Sequence, residues 1–551
     1  MSLSTNLLYS YGWKLLAFYL VLKGFSTFVQ RRFINSLTIM NDLPKLGLSR
    51  DGDKRIRGTA VICGGSLSGL LAARVCSDHF EHVVIVEPEE WLLSEDGLNP
   101  NIENAMNGKT INNPRARIPQ WYVNQGYHPT IPLVLSRLFP KELEKEISLA
   151  GSKITPVEFI VHLAGRKLPW IQDITKKTIH ITRSSLEAMI RRLVLRIRNV
   201  KQLSGRAVGL VGDRGRITGV KRRTVDGVED VLSASLVVDS TGLATAGYYW
   251  LQDLLGSKTD ASKRFASVKQ TFNNKFAYVT CYFQVSDALL EEMDKAGIPN
   301  IKSRTLGTLF LPNLHIDTRA LYHWSYEKNI IAITCSEYDM QEDINDIGDI
   351  RHFCDNMVME VPLPKYHYTL LDILQRHNIP FSKYDIRTPH PVYIQYAKAK
   401  DLPSNFIAIG DAVMQVNAYK GQGIAKASTD VVTLNKLLLK TKSNWIPGNF
   451  GKTFFKLQAS ITGSLWDSYK SEDYTIATTV PVAGEDRLKE GAGLRKYMDH
   501  LYPVALEDPE VASTLLHVMS WTQPATDLFA PGVLLKILRH KIRTFFQIYL
   551  I

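Results

Sequence analysis

The stretch Thr59–Glu87, TAVICGGSLSGLLAARVCSDHFEHVVIVE, constrains this chain more than any other. Thr59–Cys63 has strand character, and Gly64-Gly65-Ser66-Leu67-Ser68-Gly69 is a glycine-rich turn. Leu70–Ser77 reads as a helix of small and apolar residues, and His82–Val86 as a second strand that ends on Glu87. Strand, turn, helix and strand in so short a span make one βαβ unit. Such a unit can hold a dinucleotide. Its turn offers backbone N–H groups and a positive helix end to a pyrophosphate, and an acid at the tip of the second strand takes ribose hydroxyls. Glu87 lies eighteen residues beyond Gly69, where that acid belongs. Ser66 replaces the middle glycine of the usual fingerprint, but strand, helix and acid at these distances separate the pattern from an ordinary buried βα turn. A carboxylate at the tip disfavours a 2′-phosphate, so the half-site suits FAD or NAD rather than NADP.

A second segment repeats the theme. Phe406–Ile409 is an apolar strand running into Gly410-Asp411, and Gly421-Gln422-Gly423 opens a helix with Ile424, Ala427, Val431 and Leu434 at helical spacing. The Asp411 carboxylate can accept from the hydroxyls of a ribityl chain. The helix beginning near Gly423 can direct its N-terminal dipole at a ring that gains negative charge. Alone, this is a βα turn with a capping Asp; paired with the first unit it points to a flavin.

At 551 residues the chain exceeds one compact core, and its 45% hydrophobic and 22% charged content is that of a folded protein. A net charge of +12 could indicate nucleic acid, but no nucleic-acid-binding module or long basic run accompanies it. Basic charge beside apolar ends fits an anionic membrane surface better. Cysteines 63, 76, 281, 335 and 354 are widely spaced with no Cys-x-x-Cys, which predicts reduced core thiols in a cytosol-facing protein and no metal site. Residues 7–29 are apolar but interrupted by Lys14 and Lys23, and Arg31-Arg32 follows. We expect them to contact a membrane, by spanning it or by lying against it; packing on the protein is the alternative. The tail 532–551 places Leu534, Leu535, Leu538, Ile542, Phe545, Phe546 and Tyr549 on one helical face, with Lys536, Arg539, His540 and Arg543 opposite. That pattern suits a helix in the membrane interface, or one closing the substrate domain.

Between these landmarks, the polar residues 41–57 read as a linker and 205–232 as a β-meander. Ile131–Phe139 reads as an apolar helix, and Thr182-Arg183-Ser184-Ser185-Leu186-Glu187 as a capped helix start. Strands recur at 272–285, 308–311 and 322–336 around helices at 286–296 and 346–358. The expected fold class is therefore α/β. It comprises a discontinuous Rossmann-like FAD-binding domain (58–250 and 391–440), an interleaved β-sheet substrate domain (251–390), an N-terminal segment and linker (1–57), and a helical region (441–551), with membrane-seeking termini.

Three motifs together resemble the FAD-dependent monooxygenases of the p-hydroxybenzoate hydroxylase superfamily, and within it squalene-epoxidase-like and fungal secondary-metabolite enzymes. They are Gly64–Gly69 with Glu87, Gly410-Asp411 with Gly421-Gln422-Gly423, and Asp239-x-x-Gly242. Arg117-x-Pro119-Gln120 and Thr182–Glu187 resemble segments that line the flavin site in that family. The resemblance implies that Gly64, Ser66 and Gly69, with Gly65 and Leu67 in the same turn, face the FAD pyrophosphate. Glu87 would hold the adenosine ribose, Arg117, Gln120 and Arg183 would lie near the flavin, and Gly410-Asp411 would bind the ribityl chain. The backbone of Gly421, Gln422 and Gly423 would lie near the pyrimidine end of the ring. Two departures are Ala418 where the family has Pro, and Thr241-Gly242 in place of an Asp-Gly pair, with no matching Arg soon after. The latter puts direct use of NADPH in question, so NAD(P)H would act directly or through a separate reductase.

The resemblance implies transfer of one oxygen atom from O₂ through a flavin C4a-hydroperoxide to a lipophilic substrate such as a terpenoid or polyene polyketide. Epoxidation is the first expectation and hydroxylation the next, in secondary-metabolite biosynthesis at a membrane, with the catalytic domain facing the cytosol and the endoplasmic reticulum as a candidate location. No catalytic side chain is singled out, because such chemistry belongs to the cofactor. A flavin-dependent prenyl reductase of the geranylgeranyl-reductase kind shares the fold, and a prenyl-lipid-binding escort shares the βαβ start. A halogenase is disfavoured by the absence of Trp-x-Trp-x-Ile-Pro. A nicotinamide dehydrogenase gives no reason for the second flavin motif.

Overall fold

The computed structural model describes residues 37–549 apart from 107–109 and 257–258, with a few positions between 14 and 28. Most of the apolar stretch 7–29 lies outside the described residues.

A five-stranded parallel sheet forms the centre of the cofactor half. Its order is Phe406–Ala408, Leu236–Asp239, Ile56–Cys63, Phe80–Glu87, Val200–Ser204. These strands are apolar because the sheet is covered on both faces; Val61, paired with both Val84 and Val237, is fully buried. Helix Leu67–Ser77 packs on the sheet, helix Gly423–Lys440 packs on it in turn, and the long helix Phe450–Asp473 lies against the latter. The first and last cofactor motifs, over three hundred residues apart in sequence, thus become neighbours. The meander Arg206–Gly212, Ile217–Arg223 and Glu229–Ser233 forms a separate three-stranded sheet.

The second layer is a seven-stranded sheet ordered Phe381–Arg387, Phe276–Gln284, Ile330–Tyr338, Ala320–Tyr326, Gly307–Leu311, Ile160–Leu163, Arg166–Lys167. Strand 276–284 shows why its sequence is continuously apolar. Phe276, Tyr278 and Tyr282 point into one core, while Ala277, Val279, Cys281 and Phe283 point into another, the two-residue alternation of a strand buried on both sides. The aliphatic face is covered by helices Asp287–Lys295, Ile347–Asp355 and Lys365–Arg376. The aromatic face looks toward the cofactor half and the C-terminal helices Ala492–Ala505, Pro509–Met519 and Pro531–Tyr549.

Two expectations need correction. Residues 41–57 are not a free linker: Leu43, Leu46 and Ile56 are buried, the first core strand already begins at Ile56, and Asp42 pairs with Lys436 at 2.8 Å. A few apolar residues at turn spacing are enough to dock a segment whose composition is mostly polar. The substrate sheet also extends beyond 251–390, because Ile160–Leu163 pairs in parallel with Gly307–Leu311. All five cysteines are free and buried. Among the described residues no helix is long and apolar enough to cross a membrane, and no cluster of side chains is arranged to hold a metal ion.

Candidate active site

The sequence motifs converge on one cavity of ≈ 700 Å³ between the two layers. Gly64, Gly65, Ser66, Leu67, Glu87, Arg117, Gln120, Arg183, Gly410, Asp411, Gly421, Gln422 and Gly423 all line it. Gly69 alone of the expected residues does not. It packs instead against the loop backbone, where a Cβ would collide with the Gly64 carbonyl. That glycine is therefore needed for close approach of helix to loop.

The Gly64 turn has φ +108°, a conformation glycine tolerates best, and a Cβ there would strike the Ser240 carbonyl. Ser66 stands at the N-cap of helix 67–77 but makes no capping bond; its Oγ donates to Glu187 Oε2 at 2.7 Å and accepts from Arg183 Nη2 at 3.3 Å. Helix 423–440 also begins without a side-chain cap, because the Gln422 amide donates to the Met519 carbonyl at 2.8 Å. Both helix starts border the cavity with N–H groups free for an anionic or electron-rich ligand.

Beneath the first turn lies a buried charge cluster that the sequence did not reveal. Arg115 is 1% exposed and pairs with Glu89, Glu187 and, at 3.5 Å, Glu87. Arg191 donates to Gly65 O at 2.7 Å and to Glu187 at 2.8 Å. Burial alone would raise the Glu187 pKa, but the guanidiniums of Arg115, Arg191 and Arg183 outweigh it and hold the carboxyl below its ordinary range. For Glu87 burial wins, and its pKa is raised despite Arg115 and Arg191. Glu87 Oε2 accepts from Gly65 N–H at 2.8 Å, and Oε1 from Glu89 N–H at 3.2 Å. The RARIP segment holds two arginines two residues apart. Arg117, singled out from sequence, is exposed at the cavity, whereas Arg115 supports the loop from below. Nothing in a single sequence distinguishes their directions. Thr182 caps helix Arg183–Leu195 as expected, accepting from Ser185 N–H.

Asp239, a residue of the third motif, faces inward. Its carboxylate accepts from Thr241 N–H at 2.9 Å, Thr241 Oγ1 at 2.7 Å and Gly247 N–H at 2.9 Å, and burial pushes its pKa up to about 6. It shapes the turn that brings Gly242 to the cavity wall. Phe406–Ala408 is a shorter strand than expected, and Gly410–Ala412 is a 3₁₀ turn with Gly410 at φ +62°. That turn leaves the Asp411 side chain at the cavity, and Gly410 N–H donates to Asp430 Oδ2 at 2.8 Å. The loop before Gly421 is clamped from the long helix: Asp473 accepts from Asn417 Nδ2 at 2.8 Å, Tyr338 OH at 2.7 Å and Asn274 Nδ2 at 3.1 Å.

The site fits FAD. A Cβ added at Gly242 or Gly423 would meet open space, so the backbone there is bare toward the cavity. Arg183 Nε is buried without a hydrogen-bond partner. Across from the dinucleotide turn, the same cavity is walled by Phe159, Phe276, Tyr278, Tyr322 and Trp324. Cofactor groove and aromatic chamber therefore form one space.

Solved structures share this architecture. Flavin-dependent brominase Bmp2 superposes with a TM-score of 0.56 at 12% identity, covering 89% of this chain and 100% of that one. The chain shares the fold of flavin-dependent proteins of this kind. A flavoprotein/dehydrogenase from Cytophaga hutchinsonii gives 0.54 at 11% identity, covering 89% and 99%. Klebsiella pneumoniae HpxO, solved with FAD and uric acid, gives 0.52 at 12%, covering 85% and 97%. Among curated proteins, Rv3254 of Mycobacterium tuberculosis is 24% identical over 432 residues, 74% of this chain and 78% of that protein. No family model matches the chain.

Proposed function

We propose that this protein is an FAD-dependent monooxygenase that epoxidises an olefin of a lipophilic small molecule, a terpenoid or polyene polyketide. Its setting would be secondary-metabolite biosynthesis. The observation that carries the reading is the single cavity in which the dinucleotide turn, Asp411 and an aromatic chamber meet. Gly64, Gly65 and Ser66 with the start of helix 67–77 would hold the pyrophosphate, Glu87 the adenosine ribose, and Asp411 the ribityl chain. The N-terminus of helix 423–440 would favour negative charge at the pyrimidine end of the ring. When bound, FAD supplies O₂ activation and oxygen-atom transfer. The aromatic walls orient an apolar substrate and keep water away from the reacting atoms.

NAD(P)H would provide electrons directly or through a reductase. The enzyme would work on a membrane surface with its catalytic half toward the cytosol. The outward apolar face of helix 531–549 supports that placement, with Leu538, Ile542, Phe545 and Phe546 each about half exposed.

The test is purification in detergent, an absorbance spectrum, and anaerobic reduction followed by admission of O₂ in the presence of a polyene. Flavin bands and oxygen uptake coupled to an epoxide product are expected. Bound flavin with olefin reduction and no oxygen uptake would favour a prenyl reductase instead. A bromide-dependent product would favour a halogenase. A colourless protein that takes up no added FAD would remove the flavin reading and leave a lipid-binding escort.

A further inference from the structure

A second cavity of ≈ 390 Å³ lies beyond the aromatic chamber. Phe159, Leu309 and Tyr419 line both spaces, so the two share a wall. Strands 160–163 and 307–311 contribute Val161, Leu163 and Leu311. The C-terminal helices 492–505 and 509–519 roof it with Met498, Leu515 and Leu516.

The polar groups at the shared wall are already engaged: Lys420 Nζ pairs with Glu472, and His128 Nε2 bonds the Lys420 carbonyl at 2.9 Å. The lining is largely apolar, while Lys176, Glu360, Arg495 and Asp499 also border the cavity. At ≈ 390 Å³ this cavity by itself has the size of a small-molecule pocket.

Resting on the monooxygenase reading, we propose that the second cavity receives the tail of an elongated apolar substrate. The reacting olefin lies in the aromatic chamber and the rest of the chain passes Phe159 and Leu309 to lie under the C-terminal helices. The preferred substrate is then a linear isoprenoid or polyene chain, and compact fused-ring molecules would leave the second cavity empty.

The linear fluorescent polyene trans-parinaric acid tests this, with sorbic acid as its short counterpart, titrated into the full-length protein with and without FAD. Wild type should bind parinaric acid with a fluorescence rise and bind sorbic acid far more weakly. Met498→Trp, at a half-buried roof position that the cofactor cavity does not share, should weaken parinaric acid about tenfold and leave FAD content and sorbic acid binding unchanged. Met498→Ala, which enlarges the space, should not weaken it. Equal affinities in all three proteins, equal losses in both variants, or no binding to wild type would each overturn the proposal. A colourless protein that still shows the Met498 pattern would overturn the flavin reading and keep the tail cavity.

Discussion

Gly65 donates its backbone N–H to Glu87 Oε2 at 2.8 Å, so the turn and the acid of the dinucleotide motif are locked to each other before any ligand arrives. A Cβ at Gly65 would sit 3.0 Å from that oxygen and 3.1 Å from Ile85 Cγ2. Gly65→Ala should therefore displace Glu87 by a few tenths of an ångström, lowering FAD affinity while the fold persists. Glu87→Ala should weaken FAD further, by about tenfold to a hundredfold, the worth of hydrogen bonds to a charged group. Fluorescence titration of apoprotein with FAD measures both. Unchanged affinity in Glu87→Ala would remove the ribose role.

Asp411 borders the cavity on a turn fixed elsewhere, by Gly410 N–H to Asp430. Asp411→Ala should consequently leave the melting temperature close to wild type and weaken FAD by a similar factor of about ten to a hundred. A large fall in melting temperature of the apoprotein would show that the residue serves the fold instead.

Glu187 is the hub of the buried charges under the turn, and its removal would leave Arg115 and Arg191 without their closest shared partner. Glu187→Ala should cost about 3–5 kcal/mol, the range for breaking a buried ion pair by removing one member. Chemical denaturation of the apoprotein reads it. A loss under about 1 kcal/mol, the worth of a surface pair, would mean that water reaches the cluster.

These roles differ in how far they could be read from the chain. The βαβ unit was legible because its signal is local: strand, turn, helix and acid all fall inside 59–87. The Gly410 and Gly421 turns were legible for the same reason, and both border the cavity. Arg115, Arg191 and Asp473 were not. Arg115 and Asp473 act through partners far away in sequence, as in the contact of Asp473 with Asn274 and Tyr338. Arg191 meets Glu187 at helical i,i+4 spacing, but its bond to the Gly65 carbonyl follows no spacing rule. The parallel pairing of strand 160–163 with 307–311 joins segments far apart in sequence, a choice that only the assembled sheet makes. The docking of Leu43 and Leu46 was hidden by the polar residues around them.

Asp473 gives a pH dependence. Burial is the main reason its pKa is raised from 3.8 to about 7, with Glu472 nearby adding to the rise and the bonds from Asn417, Tyr338 and Asn274 opposing it. A carboxyl whose pKa is raised on folding contributes stability that is fully present below its unfolded value and is lost as pH rises through the folded one. Stability should therefore fall between about pH 4 and pH 7, with Asp239, raised to about 6, acting in the same direction. Asp473→Asn should flatten that slope in denaturation curves taken across the range, and it should loosen the Asn417 loop enough to lower FAD affinity. An unchanged slope would mean that the carboxyl is ionised throughout.

The C-terminal helix carries the membrane proposal, and its orientation is set by charge. Lys536 pairs with Asp508 at 2.8 Å and Glu510 at 2.7 Å, and Arg543 pairs with Glu507. Val533 and Ile537 pack inward. With part of the basic side held against these acids, Leu534, Leu538, Ile542, Phe545 and Phe546 are turned to solvent. A patch of this kind is uncommon on a protein that meets only water, and an apolar face of this length can enter the headgroup boundary of a bilayer. The full chain should co-sediment with liposomes containing anionic lipid, and a Leu538→Glu, Phe545→Glu double variant should release most of it without changing FAD content. Retention of that variant would shift the contact to residues 7–29, and a wild type that stays in solution would refute a membrane role for the helix.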